Sequence, residues 1–366
     1  MNVTLLSHNL SSNAVMRAHR LASALAMRHE VSLLGPVEKG GPWPGLPREP
    51  WIHSVPKLRF PDFSTSFAGL VEAVQGDVLV AIKPQLASFG AALVAAEIRD
   101  VPVILDLDDL DTALAPRAGW DVDPSITDLA RPGSAVYVSL LTRAAGAASA
   151  ITVASTALRE RFGGTVVPHG SDERLFDPGR IHQGEARAGF GFEAPTVVFP
   201  GTPRRHKGID ELVQAVAKLP GVRLAVTCRP TDLSGPEWTA FELERVPVLS
   251  YELVPRLLAA ADVVALPQLD NEAGRYQMPM KVFDAMAMGR PIVATTVSDL
   301  GTVLNGCARL VPPGDVDALT QAISDLLEHP KEARVLGERA RERFLECYSL
   351  RRVGDTLDAV VGRVVG

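Results

Sequence analysis

The chain contains little cysteine, and its three cysteines stand far apart. Cys228, Cys307 and Cys347 form no CxxC pair, and no histidine cluster with metal-ligand spacing accompanies them. This pattern argues against a disulfide framework and against a zinc site. It is typical of a reducing compartment, so we expect a cytoplasmic protein.

An excess of positive charge is also lacking. The 37 Lys and Arg residues and 43 Asp and Glu residues give a formal net charge of -6. A protein that binds nucleic acid in bulk normally has a basic balance, with Lys and Arg clustered along one face. We therefore expect no nucleic-acid partner, whereas a small anionic ligand would need only a local basic pocket.

No apolar run in the sequence reaches membrane-spanning length. The most apolar of the long stretches, residues 134–157, is interrupted by Arg143 and is better explained as a buried helix that leads into a strand. The segment MNVTLLSHNL lacks a basic part followed by a long apolar one, so it predicts a first strand and not a signal peptide. Peripheral contact with a membrane surface stays open.

What the sequence does contain is an ordinary globular composition, with 46 % hydrophobic and 22 % charged residues among 366. Such a chain is too long for one core and sufficient for two. The first half alternates short β-branched runs with Ala-rich helical segments, as in a parallel sheet covered on both faces. The alternation loosens after residues 168–172 and restarts at Thr196. The sequence thus predicts an α/β fold of two doubly wound, Rossmann-like domains, residues 1–172 with a helix 350–366, and residues 173–349.

The predicted strands follow from these apolar runs. They cover residues 3–6, 30–33, 78–81, 103–106, 151–153, 165–167, 197–199, 223–227, 246–249, 263–266 and 292–294. The Pro-, Gly- and Trp-rich region 36–61 interrupts the alternation, and we expect a surface excursion there. Because open parallel sheets bind ligands outside the carboxyl ends of their strands, we expect the site in a cleft between the two domains.

The most informative segment is FPGTPRRHKGIDELVQAVAKLP, residues 199–220, which predicts a strand, a basic turn and an amphipathic helix. The strand ends at Gly201, and the cations that follow are Arg204, Arg205 and Lys207. Free N–H groups and the positive end of the helix dipole attract anions, and the cations add charge-assisted hydrogen bonds. A diphosphate is the natural ligand. The alternative is a solvated basic loop.

A second motif, PMKVFDAMAMGRPIVAT at residues 279–295, predicts a short helix beginning near Met280. We expect Asp284 in its first turn, where the carboxylate would accept hydrogen bonds from two neighbouring hydroxyls, such as a ribose diol. The N–H groups of Met280 and Lys281 would face phosphate oxygens. Alternatively, Asp284 is a partner of the helix dipole and Lys281 is a solvated charge.

Taken in order, these motifs resemble glycosyltransferase family 4, a large retaining group with the GT-B fold. The matching segments are GTPRRHKGIDELVQAV, VPRLLAAADVVALP, PMKVFDAMAMGRPIVAT and LVPPGDVDAL, and VVPHGSDERLFDP resembles the family's interdomain segment. The first half matches in architecture only. The resemblance implies transfer of a sugar from a UDP- or GDP-sugar to a carbohydrate, lipid-linked or small-molecule acceptor, with no separate cofactor.

By position, the resemblance implies that Lys207 holds the donor's diphosphate together with Arg204 or Arg205, although Thr202 stands where the family often has an arginine. The family's paired glutamates map to Tyr276 and Asp284. A tyrosine cannot replace a sugar-binding carboxylate in kind, so Glu272 is a substitute candidate. The catalytic candidates are Lys207 and Arg204, and the nucleotide-binding candidates are Gly201, Arg205, Tyr251, Glu272, Met280, Lys281 and Asp284. Tyr251 would lie near the nucleobase; the alternative is core packing.

On the acceptor side, the family's twin-glycine loop maps to Ser12 and Asn13, and its frequent cleft histidine maps to Asp108. Together with Asp108, the nearby carboxylates of Asp106, Asp109 and Asp111 would suit a hard cation. We nevertheless expect no catalytic metal, because GT-B enzymes generally neutralise the leaving diphosphate with Lys, Arg and helix ends.

Other functions stay open at this stage. One is another GT-B activity, either an inverting transferase or a sugar-nucleotide epimerase. The other is a catalytically silent protein that binds a sugar nucleotide or a partner protein, which Thr202 and Tyr276 at family positions would favour.

Overall fold

The structure is a computed structural model that describes residues 1–57, 62–114, 131–229, 232 and 243–366. The chain divides into two compact units, residues 1–169 with 350–366, and residues 170–349. Each unit is an open parallel sheet with helices between its strands, so the predicted α/β class is confirmed. The second unit begins at Gly170, three residues before the predicted start of the second domain, and Ser171 pairs with Ser349 within it.

The first sheet has the strand order β3-β2-β1-β4-β5-β6-β7, and all its pairs are parallel. Its strands are β1 Asn2–Ser7, β2 Glu30–Val37, β3 Ile52–Pro56, β4 Val78–Ile82, β5 Val103–Leu107, β6 Ala150–Val153 and β7 Thr165–Val166. The central strands β4 and β5 are buried along their whole length, as their continuous apolar runs require in a sheet covered on both faces.

The second sheet has the order β10-β9-β8-β11-β12-β13, again with parallel pairs. Its strands are β8 Thr196–Phe199, β9 Arg223–Thr227, β10 Leu243–Val246, β11 Val263–Leu266, β12 Ile292–Thr295 and β13 Arg309–Val311. Order reversal beside the first strand of each sheet, β1 and β8, creates the switch point at which doubly wound folds bind ligands.

The described helices follow the strands in alternation. They are α1 Val15–Leu25, α2 Phe63–Ala73, α3 Ala91–Arg99, α4 Asp111–Leu114, α5 Ala135–Arg143, α6 Thr156–Phe162, α7 Gln183–Phe190, α8 Ile209–Ala217, α9 Val254–Ala260, α10 Glu272–Tyr276, α11 Met280–Ala287, α12 Leu300–Val303, α13 Val316–Glu328, α14 Pro330–Cys347 and α15 Leu350–Val365. Among the described residues, none of these helices is both long and apolar enough to cross a membrane.

Helix α15 belongs to the first unit, where it packs along α1. Val353 and Leu357 of α15 are buried, and His29 Nε2 lies 2.6 Å from an Asp358 carboxylate oxygen. In the second unit, Asp315 is the N-cap of α13, since its side chain accepts a hydrogen bond from the Ala318 N–H at 2.9 Å.

Three strand predictions were wrong in detail. The supposed excursion at 36–61 contains β3, which pairs with β2 at the sheet edge and lacks an apolar run because none of its residues is fully buried. Strand β10 lies a few residues earlier than predicted, and β13 was missed because it is short and buries only Val311. Edge strands have the shortest and least apolar runs, so the sequence pattern predicted the central strands better than the edge strands.

Two helical glycines provide a test of the packing in the second unit. A Cβ at Gly337 in α14 would lie 2.1 Å from the Gly289 carbonyl oxygen, whereas a Cβ at the exposed Gly362 in α15 would meet nothing within 4 Å. We expect Gly337→Ala to lower the free energy of unfolding by about 2 kcal/mol or more. The control Gly362→Ala should raise it by about 0.5 to 1 kcal/mol. Chemical denaturation measures both; equal effects of the two variants would contradict the close approach of α14 to Gly289.

Candidate active site

The basic turn after β8 lies at the carboxyl edge of the second sheet. A 3-10 turn spans Arg205–Lys207, and α8 begins at Ile209. Between them, Gly208 has φ +70°, and a Cβ there would lie 1.8 Å from the Pro267 carbonyl oxygen. Glycine is therefore required for the start of α8 to lie against the end of β11.

The three cations of this turn are placed differently. Lys207 is half-buried, and its Nζ donates a hydrogen bond to the Thr202 carbonyl oxygen at 3.3 Å. Arg204 is exposed, and the Arg205 side chain is 94 % exposed, with Nε 3.6 Å from an Asp210 carboxylate oxygen. Lys207 is thus the cation that the turn itself holds in place.

The first turn of α8 carries two carboxylates, Asp210 and Glu211. Acidic side chains stabilise a helix N-terminus because they interact with the positive end of its dipole. The same charges reduce the attraction of α8 for an anion, which the expectation drawn from the sequence did not take into account. For attracting an anion to this turn, the charge of Lys207 is therefore more important than the N-terminus of α8.

Asp284 does not occupy the first turn of α11, so that prediction was wrong. Pro279 has extended backbone angles and the helix begins directly at Met280, which places Asp284 in the second turn. Its side chain is fully buried. Ser171 Oγ donates a hydrogen bond to Asp284 Oδ1 at 2.5 Å, and Lys281 Nζ lies 3.3 Å from Oδ2.

The start of α11 lies near the end of β8. A Cβ at Gly201 would lie 3.9 Å from Lys281 Cγ, and the Lys281 side chain is 31 % exposed. The structure therefore brings together Gly201, Lys281 and the half-buried Met280 from two segments that are distant in the sequence. At the start of α11 the Val282 N–H donates a hydrogen bond to the Pro279 carbonyl oxygen at 3.1 Å. This edge presents the partly exposed Lys281 ammonium group.

Glu272 and Tyr276 lie on the short helix α10, where Glu272 is exposed and Tyr276 half-buried. The loop around α10 is fixed by Gln268, which is 2 % exposed and which sequence reasoning missed. Gln268 Nε2 donates hydrogen bonds to the carbonyl oxygens of Gly274 at 2.6 Å and Gln277 at 2.8 Å. The available signal was an amide side chain two residues after the apolar run of β11.

Tyr251 is a core residue. It is 6 % exposed, and its ring centroid lies 5.3 Å from that of Phe176. This arrangement agrees with the packing alternative and not with a ring exposed to stack on a nucleobase.

In the first unit, Ser12 and Asn13 form the turn that opens α1. Their carbonyl oxygens accept hydrogen bonds from the N–H groups of Val15 and Met16, both at 3.1 Å. Ser12 is half-buried and Asn13 is exposed, so both predicted acceptor-side residues lie at the carboxyl end of β1.

The four aspartates considered as one cluster separate into two groups. Asp106 binds Arg17 through two hydrogen bonds, of 2.9 Å from Nε and 2.8 Å from a terminal nitrogen. The other three surround Lys83, whose Nζ lies 2.8 Å from Asp108, 2.6 Å from Asp109 and 3.5 Å from Asp111.

Lys83 was missed in the sequence, although a lone lysine directly after the apolar run of β4 marked it. It is 4 % exposed and has φ 71°, which is unusual for a residue with a side chain. Within the described part of the chain, no group of three or more His, Cys, Asp or Glu residues is arranged to hold a metal ion. Here the carboxylates surround an ammonium group instead.

The charges of this group are strongly shifted. Burial raises the pKa of Asp108 to about 7, with a further rise from the neighbouring aspartates and an opposing effect of Lys83. Burial together with the Lys83 charge lowers the pKa of His8 to about 3. Burial and Arg17 likewise hold the pKa of His169 well below its usual value, so both histidines are neutral at pH 7.

The second unit matches a known sequence family. Residues 194–329 match the family model described as glycosyl transferases group 1. Among curated proteins, the MMP alpha-(1->4)-mannosyltransferase of Mycolicibacterium hassiacum is 32 % identical over 212 residues, which are 55 % of this chain and 48 % of that protein. The D-inositol 3-phosphate glycosyltransferase of Mycobacterium marinum is 33 % identical over 215 residues, 55 % of this chain and 45 % of that protein. The similarity thus spans about half the length of these relatives.

Solved structures match over nearly the whole chain. Sucrose-phosphate synthase from Thermosynechococcus elongatus has a TM-score of 0.73 at 19 % identity, covering 99 % of this chain and 98 % of that one. Anabaena Alr3699/HepE, solved in complex with UDP-glucose, has a TM-score of 0.71 at 16 % identity, covering 99 % and 100 %. At this identity the likeness shows the fold alone: the chain has the two-unit α/β fold of GT-B glycosyltransferase structures.

The Lys83 group predicts a pH-dependent stability. Because the pKa of Asp108 rises from 3.8 to about 7 on folding, the folded protein keeps a proton between these values that the unfolded chain has lost. Stability should therefore fall as the pH rises from about 4 to about 7. Asp108→Asn removes this term, so we expect the variant to exceed the parent by about 1 kcal/mol or more at pH 8, and by less at pH 5.

Urea denaturation at the two pH values measures the difference. The exposed Asp62→Asn serves as the control that changes the same atoms without a buried charge. An Asp108→Asn variant that is less stable than the parent at pH 8 would show that the ion pair with Lys83 outweighs the burial of the carboxylate.

Proposed function

We propose that the protein is a glycosyltransferase that moves a sugar from a nucleoside-diphosphate sugar to a hydroxyl group, with retention of the anomeric configuration. The observation that carries this proposal is the position of the family match. Residues 194–329 contain the turn with Lys207 and the start of α11 with Lys281, whose ammonium groups lie near the carboxyl edge of one sheet. A leaving diphosphate needs groups of this kind.

In the proposed reaction, the bond between the anomeric carbon and the diphosphate oxygen breaks, and negative charge develops on that oxygen. Lys207 and the start of α11 stabilise this charge, with Arg204 or Arg205 moving in from solvent. A preorganised donor of this type typically contributes about 3 to 4 kcal/mol.

The acceptor hydroxyl oxygen forms the new bond on the face that the diphosphate leaves, and a phosphate oxygen takes its proton. This path needs no nucleophilic side chain, so a Ser-His-Asp arrangement is not required. The predicted acceptor-side residues Ser12, Asn13 and Asp108 lie on the first unit, at the ends of β1 and β5.

The structure solved with UDP-glucose supports a UDP-sugar as the first donor to test, with a GDP-sugar as the second. Carbohydrate, lipid-linked and small-molecule acceptors all stay within the proposal. A cytoplasmic location and peripheral membrane contact stay predictions.

Substitution of Lys207 tests the role of the turn. We expect Lys207→Ala to lower kcat by more than about 100-fold while the circular dichroism spectrum and Tm stay unchanged, because one charge-stabilising donor is lost. The matched control is Lys218→Ala, at the other end of α8, where the ammonium group forms only a surface ion pair with Asp317. The control should keep full activity; an active Lys207→Ala variant would falsify the diphosphate role.

Donor screening separates the proposal from a catalytically silent protein, which Tyr276 at a family acid position favours. Titration calorimetry with UDP, GDP and their sugars is combined with NMR detection of slow donor hydrolysis, which needs no acceptor. Nucleotide binding without hydrolysis or transfer would favour the silent protein. A product with the opposite anomeric configuration would indicate an inverting transferase. A sugar of changed configuration that is still attached to the nucleotide would indicate an epimerase.

A further inference from the structure

Building on the proposed function, we propose that Asp284 is a positioning residue that fixes the Lys281 ammonium group, and that it does not bind the ribose of the donor. The family resemblance implies the opposite role, a carboxylate that accepts hydrogen bonds from the ribose diol. The two roles differ in where the carboxylate points and in what it contacts.

Both carboxylate oxygens of Asp284 already have partners inside the second unit. Ser171 Oγ donates to Oδ1 at 2.5 Å, Lys281 Nζ lies 3.3 Å from Oδ2, and the Asp284 side chain is 0 % exposed. The two hydroxyls of a ribose diol would both donate hydrogen bonds to the carboxylate. The carboxylate oxygens would therefore have to be accessible to the ligand. Burial and internal pairing of both oxygens argue against such a role.

The length of the side chain explains the difference. Aspartate is one methylene shorter than the glutamate of the family, so its carboxylate stays close to the α11 backbone. Ser171 lies where the chain enters the second unit, beside Ser349, where the chain leaves it. The neighbouring Phe283 ring packs against Tyr348 with centroids 4.9 Å apart. Through its buried hydrogen bond to Ser171, Asp284 therefore joins α11 to the segments at which the chain enters and leaves the second unit.

Lys281 is the member of this network that a ligand can reach. Its side chain is 31 % exposed, whereas that of Asp284 is fully buried. It also lies near Gly201 at the end of β8, the edge at which the diphosphate is proposed to bind. An ion pair with a buried carboxylate restricts the ammonium group, so less conformational freedom is lost when the phosphate binds.

The test compares three probes that differ in what they offer to the protein: UDP, 2′,3′-dideoxy-UDP and inorganic pyrophosphate. Titration calorimetry measures each with the parent and with Asp284→Asn. The variant keeps the size of the side chain and an acceptor for Ser171 but loses the charge that holds Lys281. We expect each of the three probes to bind about fivefold more weakly to the variant than to the parent. The loss of affinity should be the same for the three probes within about twofold.

A ribose contact predicts a different pattern. The parent would then bind UDP more tightly than its dideoxy analogue, Asp284→Asn would abolish that preference, and pyrophosphate binding would not change, since pyrophosphate has no ribose. This pattern would overturn the positioning role while leaving the glycosyltransferase proposal intact. If the parent binds none of UDP, GDP and pyrophosphate, the proposed function and the positioning role fail together.

Two further variants keep the test decisive if Asp284→Asn folds poorly. Asp284→Glu restores the longer carboxylate of the family: a ribose contact predicts an increased preference for UDP over the dideoxy analogue, whereas the positioning role predicts weaker binding of all three probes. Ser171→Ala removes the other partner without changing a charge and should weaken all three probes equally, by a smaller factor. An Asp284→Glu variant that gains preference for UDP would contradict the proposal.

Discussion

The second unit depends on close approaches of backbone to backbone that only glycine permits. Gly208 lies against the Pro267 carbonyl group, and Gly274 lies against that of Leu269, where an added Cβ would be 2.1 Å from the oxygen. Because of the first contact the basic turn lies beside the end of β11, and the second shapes the loop that carries α10. The charged side chains of the basic turn and of the loop with α10 lie at one end of the sheet because these backbone contacts bring their segments together.

In the first unit, Lys83 and Arg17 are buried cations, and each is paired with a buried carboxylate. Lys83 is buried among three aspartates, and Arg17 among Asp106 and backbone carbonyl groups. Buried charges of this type cost free energy unless each finds a partner, so the carboxyl ends of β4 and β5 are held in one arrangement by their ionic contacts. In the second unit, by contrast, the basic turn leaves Arg204 and Arg205 exposed and Lys207 half-buried.

The sequence predicted the sheets well, because continuous apolar runs such as β4 and β11 have few other interpretations. It predicted the chemical types at the candidate site from the basic turn and the motif at 279–295, but not their partners. The pairing of Asp284 with Ser171 joins residues that are distant in the chain, and the contact of Lys83 with Asp108 depends on two adjacent strand ends. No local pattern contains such contacts. Tyr251 shows the same limit, since its packing on Phe176 follows only from the fold.

The return of α15 to the first unit makes residues 170–349 an insertion within that unit. During synthesis, the ribosome completes this whole insertion before α15 exists, so the face of α1 that α15 covers stays open while the second unit forms. A first unit expressed as residues 1–169 would carry the same uncovered face and would tend to self-associate. The order of translation thus makes the inserted unit the earlier one to finish folding, although its host comes first in the sequence.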